Sequence, residues 1–155
     1  MRREVLATLV GYCQGQKETI AKLLGDLGAV DPDSEANSSH LGFMLHNLYC
    51  AVEDLFREIA KTFENRIGSS AEYHLELLKR MRIDVPSFRP RVLSDESFRI
   101  LDELGGFRHV FRHAYEFRLS AKKLRDLKST VLSDWDKVER DLDAFVAFLV
   151  SHPGN

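Results

Sequence analysis

The chain has 155 residues, of which 44% are hydrophobic and 30% are charged, and its formal net charge at pH 7 is −2. This composition is typical of a soluble globular protein and excludes an intrinsically disordered chain. The length favours one domain, so we expect residues 1–155 to form a single domain with a sizeable buried core. The small net charge argues against a nucleic-acid binder that acts through overall charge alone.

The spacing of the cysteines and the length of the apolar runs argue against several further classes of protein. Cys13 and Cys50 have no partner at the spacing of a metal-binding or redox motif, which argues against a disulfide scaffold or a thiolate zinc site. The longest unbroken apolar run, from Phe145 to Val150, is too short to cross a bilayer. No long apolar segment follows Met1, as a signal peptide would require. We therefore expect a cytoplasmic protein without a membrane partner.

Apolar residues recur at helical spacing along most of the chain. The first helix is predicted to end near Gly28, and residues 31–39 are predicted to be a loop because they are small, polar and include Pro32. The strongest helical pattern comes next, where apolar residues alternate at spacings of four and three. These residues are Leu41, Leu45, Leu48, Val52, Leu55, Ile59 and Phe63.

The middle of the chain carries the signals of a short helix and a long connection. Gly68 is expected to end the second helix. Ser69 and Glu72 have the spacing of a capping box, which predicts a third helix that reaches about Met81. Residues 82–93 contain two prolines and are predicted to connect this helix to the next.

Two further serines mark the starts of the last helices. Ser94 and Ser120 are each predicted to cap a helix, because each stands between apolar residues at the spacing of a hydrophobic staple. Ser133 could divide the final region into two helices. No segment shows a sustained two-residue alternation, so a sheet is not expected. The sequence therefore predicts an all-α, antiparallel bundle of five or six helices.

Charge is distributed unevenly along the chain. Residues 79–125 contain 12 Lys/Arg and 6 Asp/Glu, whereas residues 1–78 contain 7 and 12, and residues 126–155 contain 3 and 6. A local excess of positive charge can attract an anionic partner, although a solvated surface with uneven charge would show the same pattern.

The fourth predicted helix contains most of the residues that could take part in catalysis or binding. Its apolar side is expected to be core and consists of Ile100, Leu104, Phe107, Phe111 and Ala114. At about 100° per residue, Arg108, Arg112 and Tyr115 lie beside this stripe, while His109 and His113 lie nearly opposite it. The pair Gly105 and Gly106 is unfavourable for a helix and indicates a kink or a close approach by another backbone or a ligand. A solvated polar face and tight packing within one chain remain alternatives.

The same residues carry a resemblance to a known family. Arg108-His109-x-x-x-His113 fits the R-x(4–6)-H signature of the HEPN superfamily, and Arg108-x4-His113-x-Tyr115 fits the tighter R-x4-H-x-Y form of HepT-like ribonuclease toxins. Asn47-Leu48-Tyr49 with Glu53, and residues 73–78, extend the likeness over roughly residues 40–150. The chain thus resembles a HepT-like protein.

This resemblance implies metal-independent cleavage of RNA without a cofactor. His113 would be the general acid or base, because imidazole exchanges protons near neutral pH. Arg108 would hold the phosphate through its fork of N–H donors. His109 and Arg112 would be additional contacts to the RNA.

The resemblance also implies two protein partners. Residues five apart on a helix are separated by about 140° and about 7.5 Å, so one copy would not present Arg108 and His113 side by side. We therefore expect a homodimer with a composite site. In HepT-like systems the motif tyrosine can receive AMP from a nucleotidyltransferase antitoxin, which makes Tyr115 the candidate here; a tyrosine that packs at the helix edge is the alternative.

Two other interpretations remain open at this point. His109 and His113 are spaced to share a metal ion with Glu116 nearby, although no Glu-x-x-His motif of a di-iron bundle occurs. The second interpretation is a non-catalytic module that binds RNA, a nucleotide or a protein, as an antitoxin or adaptor would. Glu53 is expected to form an ion pair rather than a carboxylate site, and His74 has no predicted role.

Overall fold

The computed structural model of the protein describes residues 1–64, 73–115 and 118–154. Within these residues the chain forms helices and no strand, which confirms the predicted all-α bundle. The five helices are α1 (Arg3–Gly28), α2 (Glu35–Glu64), α3 (Tyr73–Arg80), α4 (Asp95–Arg112) and α5 (Ala121–Ser151). None of the described helices is long and apolar enough to cross a membrane.

Helix α2 is the centre of the bundle, because it contacts each of the other four helices. Its predicted apolar stripe from Leu41 to Ile59 is buried throughout, and only Phe63 at its end is half-buried. The stripe belongs to one continuous hydrophobic core to which all five helices contribute. The alternation of spacings that predicted α2 is thus the pattern of a helix with neighbours along its whole length.

The predicted loop over residues 31–39 is wrong in its second half, since α2 already begins at Glu35. The hydroxyl of Ser34 accepts a hydrogen bond of 3.1 Å from the backbone N–H of Asn37, and the carboxylate of Asp33 accepts one of 2.7 Å from the Asn37 side chain. Small polar residues are weak helix formers, but the Ser34 hydroxyl satisfies one of the backbone N–H groups that the first turn of a helix leaves free, and the Asp33 contact fixes the Asn37 side chain beside it.

The remaining predicted boundaries fall close to the observed ones. Ser94 and Ser120 cap α4 and α5, each accepting from a backbone N–H three residues ahead at 3.3 Å. Helix α5 is continuous, and the hydroxyl of Ser133 donates to the carbonyl of Ser129 within it, so Ser133 does not divide the helix. Helix α3 ends one residue before Met81, as expected. The predictions for Gly68, Ser69 and Glu72 lie outside the described residues.

A buried arginine holds the connection between α3 and α4. The Arg89 side chain donates to the backbone carbonyls of Arg80, Ile83 and Pro90, each at 3.2 Å. It also forms an ion pair with Glu64 at the end of α2. Because a buried guanidinium needs partners for its donors, these contacts bind the connection to the ends of α2 and α3 and thereby set where α4 begins.

Candidate functional site

The candidate site lies where α4 leaves the core. The first half of the helix is buried at Ser97, Ile100, Leu101 and Leu104. Beyond Leu104 the predicted core stripe is only half-buried, and this corrects the prediction that the whole stripe is core. The half-buried residues are Phe107, Phe111 and Ala114. At this end of α4 the Phe111 ring lies next to Gly42 of α2.

Helix α4 ends at Arg112, and His113 is its C-cap with φ −106° and ψ 14°. The backbone N–H of His113 donates to the carbonyl of Val110 at 3.3 Å, and residues 113–115 form a turn. The prediction that placed His113 five positions along a continuing helix is therefore wrong in its geometry. The chain must reverse direction here to reach α5 at Ala121.

Three rings lie in a row at this turn. The ring centroids of His109 and His113 are 4.6 Å apart, and those of His113 and Tyr115 are 6.1 Å apart. His109 is exposed, His113 is half-buried, and Tyr115 is 80% exposed. The helical projection grouped Tyr115 with the arginines, whereas the turn brings it to the histidines. Two imidazoles and a phenol thus face solvent together.

Arg108 takes a different direction from the two histidines. It is half-buried and lies beside α2, close to His46 and Cys50. Its Nε is buried and has no hydrogen-bond partner among the described residues. A buried donor without a partner is costly. The Arg108 guanidinium therefore lies at a place where one of its N–H donors is unpaired among the described residues. Arg112, the neighbouring cation, is exposed.

His46 and Cys50 were not predicted as site residues, yet they form the wall next to Arg108. The Nε2 atom of His46 lies 3.6 Å from the Cys50 sulfur, and the His46 ring stacks on Phe111 with centroids 5.0 Å apart. Burial, with the positive charges of Arg108 and Arg112, lowers the pKa of His46. Burial and the charge of Glu53 raise the pKa of Cys50, and Arg108 opposes part of that rise.

The charge states that follow from these shifts limit the chemistry of the pair. A lowered histidine pKa and a raised thiol pKa both favour the neutral forms, so His46 and Cys50 are not the thiolate–imidazolium pair of a cysteine nucleophile. The signal that could have found them is their spacing. His46, Cys50, Glu53 and Arg57 follow one another at helical intervals beside the buried stripe of α2.

The glycine pair has a structural explanation in one of its two members. A Cβ atom at Gly105 would lie 3.0–3.1 Å from the ring and hydroxyl of Tyr49, whereas nothing lies within 4 Å of such an atom at Gly106. At Gly105 the alternative of tight packing within one chain is therefore observed, and the group that packs there is a side chain of α2 rather than another backbone or a ligand. Burial also raises the pKa of Tyr49, which keeps its hydroxyl neutral.

Glu53 forms an ion pair with Arg57, as expected, and a hydrogen bond with His74 that joins α2 to α3. Glu53 is buried, and its Oε1 accepts from His74 Nδ1 at 2.6 Å and from Arg57 Nη2 at 3.0 Å. The contact places the start of α3 against the middle of α2. His74, which had no predicted role, thus has at least this structural one.

The positive charge of residues 79–125 is only partly neutralised within the described part of the chain. Arg80, Arg82 and Arg89 form ion pairs with carboxylates, whereas Arg108 and Arg112 form none within residues 1–64, 73–115 and 118–154. In that part of the chain no group of three or more His, Cys, Asp or Glu side chains is arranged to hold a metal ion. Glu116, the third residue of the alternative metal site, lies outside it.

The architecture is thus an all-α bundle in which the end of the fourth helix and the turn after it carry an Arg-x4-His-x-Tyr segment, with Arg108 and His113 half-buried and Tyr115 exposed. A comparison with models of protein families matches residues 40–149 to the family described as HepT-like protein. The match covers more than half of the chain and includes the whole segment, so the chain belongs to the HepT-like family. Comparisons with curated proteins and with solved structures gave no match.

Proposed function

We propose that the protein is a metal-independent endoribonuclease of a toxin–antitoxin type, with Arg108 and His113 as its catalytic residues. The observation that carries the proposal is the position of the family motif. It stands at the solvent-exposed end of α4, where Arg112 and His109 add a second cation and a second imidazole. Cations and imidazoles side by side are what cleavage of an anionic phosphodiester requires.

The reaction needs two proton transfers and a stabilised phosphate. The ribose 2′-oxygen attacks the adjacent phosphorus and loses its proton to a base, while the bond from phosphorus to the 5′-oxygen breaks and that oxygen takes a proton from an acid. The products are a 2′,3′-cyclic phosphate and a 5′-hydroxyl. We assign a proton transfer to His113 and the phosphate oxygens to Arg108. His109 and Arg112 would contact the RNA on either side.

A second copy of the chain would complete this site. Arg108 lies beside α2 whereas His113 lies in the turn beyond α4, so a homodimer that pairs the ends of α4 would supply two of each. Apolar surface supports such a pairing, because Phe43 is 51% exposed and Val110 is 37% exposed. A symmetric interface presents the same patch from both copies.

Mixed dimers test the composite site. Arg108→Ala and His113→Ala alone would each lower cleavage by about 100-fold or more, but dimers formed by mixing the two variants would regain activity, because their shared cleft keeps one Arg108 and one His113. Sedimentation should show a dimer, and Val110→Glu should weaken dimerisation and cleavage together. A monomer that cleaves at full rate would contradict the composite site.

The catalytic assignment is tested by cleavage of mixed cellular RNA in chelator. We expect Arg108→Ala and His113→Ala each to lower the rate by about 100-fold or more. Arg99→Ala, which removes an exposed arginine from the first half of the same helix, is the matched control and should cleave as the wild type does. Equal cleavage by all variants would rule out the two residues. A wild type that binds RNA or a nucleotide without cleaving would favour the alternative, a non-catalytic binding module.

Tyr115 is our candidate for control by a partner nucleotidyltransferase. Its exposed hydroxyl would attack the α-phosphate of ATP, with loss of its proton to a base of the transferase and release of pyrophosphate. The chain would then carry one AMP. Co-expression with such a transferase should raise the intact mass by one adenylyl group in the wild type but not in Tyr115→Phe. An equal mass increase in both would place the modification elsewhere.

A further inference from the structure

A cavity of about 620 Å³ lies beside the turn that carries Tyr115. One wall comes from the segment before and at the start of α2, and the other comes from the end of α4 and the start of α5. The cavity is open to solvent next to the catalytic motif, yet none of the predicted roles of Arg108 or His113 uses it. Its volume lies within the range of small-molecule binding sites, about 300–1,000 Å³.

The two walls differ in chemistry. Phe111 and Tyr115 contribute aromatic rings to the lining, and Ser34, Ser38 and Ser39 contribute hydroxyl groups. Aromatic rings stack on the faces of unpaired nucleobases, and hydroxyl groups can both donate to and accept from base edges. A cavity lined by both aromatic rings and hydroxyl groups therefore suits a flat ring with a polar edge.

The charges around the cavity favour a base over a phosphate. Asp33 and Glu35 lie in its lining, with Arg118 as the cation there. Carboxylates repel phosphate but accept from the amino hydrogens that adenine, cytosine and guanine carry. The phosphates of an RNA strand would therefore follow Arg108 and Arg112, and a base would turn into the cavity.

We propose that this cavity binds one nucleobase of the RNA substrate, stacked on Tyr115, and that it favours bases with an exocyclic amino group over uracil. The site deepens the proposed ribonuclease function and rests on it. Because the rings of Tyr115 and His113 are 6.1 Å apart, a base on Tyr115 and a phosphate at His113 are close enough to belong to the same nucleotide or to adjacent ones. An AMP attached to Tyr115 would enter the same cavity and exclude the substrate base.

Binding of short RNA to a chain that does not cleave it tests the stacking. The probes are fluorescein-labelled hexa-adenylate, hexacytidylate and hexauridylate, titrated by anisotropy against His113→Ala. Adding Tyr115→Ala should weaken binding of hexa-adenylate about tenfold or more, since stacking of one base contributes that much. Tyr115→Phe keeps the ring and should stay within about twofold. Tyr12→Ala, an exposed tyrosine on α1, is the matched control and should bind as the parent does.

A second variant tests the cavity rather than the ring alone. Ser39 is exposed and lines the cavity, so Ser39→Leu fills the space without disturbing the core. It should remove the preference for hexa-adenylate and hexacytidylate over hexauridylate. Ser133→Leu, at an exposed serine on α5, should leave the preference unchanged. Binding by Tyr115→Ala and Ser39→Leu that equals the parent for all three probes would overturn the proposal.

The outcomes separate this inference from the proposed function. Binding that depends on Tyr115 and Ser39 in a protein whose wild type does not cleave RNA would sustain the base site and refute the ribonuclease. Cleavage of RNA by the wild type at sites with no base preference, unchanged by Tyr115→Ala, would sustain the ribonuclease and refute the base site.

Discussion

The two halves of α4 differ in burial. From Asp95 to Leu104 the helix is capped by Ser94 and buries its apolar side against the core. From Gly105 to Arg112 the same helix is half-buried or exposed, and it continues into the turn that carries His113. The first half is thus stabilised by burial of its apolar side. The second half extends the same helix beyond this buried part.

This difference explains how the motif can be attached to the core and accessible at the same time. Polar side chains that catalyse need solvent and substrate, but they also need a fixed position. A helix anchored by its first half offers both, because its second half cannot unwind without breaking the hydrogen bonds to the anchored turns. Substitutions in the first half should therefore affect stability, and substitutions in the second half should affect function.

The largest effect on stability is expected in the anchored half. Leu104→Ala removes a fully buried side chain and should lower the free energy of unfolding by about 2–5 kcal/mol, measured by urea denaturation. Val110→Ala, in the second half of the same helix, should change it by no more than about 0.5 kcal/mol. Equal losses at the two positions would end the distinction between the halves.

The glycine pair locates the boundary between the halves. In Gly105→Ala the new methyl group would press on Tyr49, so the free energy of unfolding should fall by about 1–3 kcal/mol, since overpacking exceeds the gain in helix propensity. Gly106→Ala meets nothing and should raise it by about 0.5–1 kcal/mol. Thermal unfolding of the two variants should give shifts of opposite sign; shifts of the same sign would contradict the packing described for Gly105.

The caps of α4 and α5 should differ by a smaller amount. Ser94 caps α4 and also donates through its hydroxyl to Asp141 of α5 at 2.7 Å, so Ser94→Ala should lower the free energy of unfolding by about 1–2 kcal/mol. Ser120→Ala removes only an exposed cap and should lower it by about 0.5–1 kcal/mol. A larger loss for Ser120→Ala in chemical denaturation would show that the Asp141 contact contributes nothing.

The pH dependence of stability should carry a small contribution from His46. Its pKa in the folded chain is lowered by burial and by Arg108 and Arg112, with Glu53 opposing and the Cys50 thiol alongside. The unfolded chain then binds more protons, so stability is full above the unfolded pKa of about 6.5. The contribution of neutral His46 to stability is lost as the pH falls from the unfolded pKa through the folded pKa of His46. His46→Gln should flatten this part of the stability curve, and an unchanged curve would contradict the lowered pKa.

Much of the fold could be predicted from particular residues. The apolar stripe of α2 and the serines that cap α4 and α5 work through local periodicity and local hydrogen bonds, and these depend on residues only a few positions apart. The start of α2 was missed because Ser34 and Asn37 favour both loops and helix caps. Only the packing of the following residues decides between the two.

The candidate site residues could be named from the sequence, but their arrangement could not. The family motif identified Arg108, His113 and Tyr115 as candidates, since the motif depends only on the spacing of these residues along the chain. The end of α4 at Arg112 could not be found in the same way, because His113 and Ala114 are compatible with a continuing helix. The reversal toward α5 decides it, and that reversal depends on where two distant helices pack.

The sequence by itself therefore determined the helical class, most helix boundaries, the family and the names of the motif residues, since each of these follows from short-range spacing. Only the tertiary structure placed His46 and Cys50 beside Arg108, set Tyr49 against Gly105, and opened the cavity next to Tyr115. These are contacts between residues far apart in the chain. Their positions follow from how α2 packs on α4, a relation that local spacing does not contain.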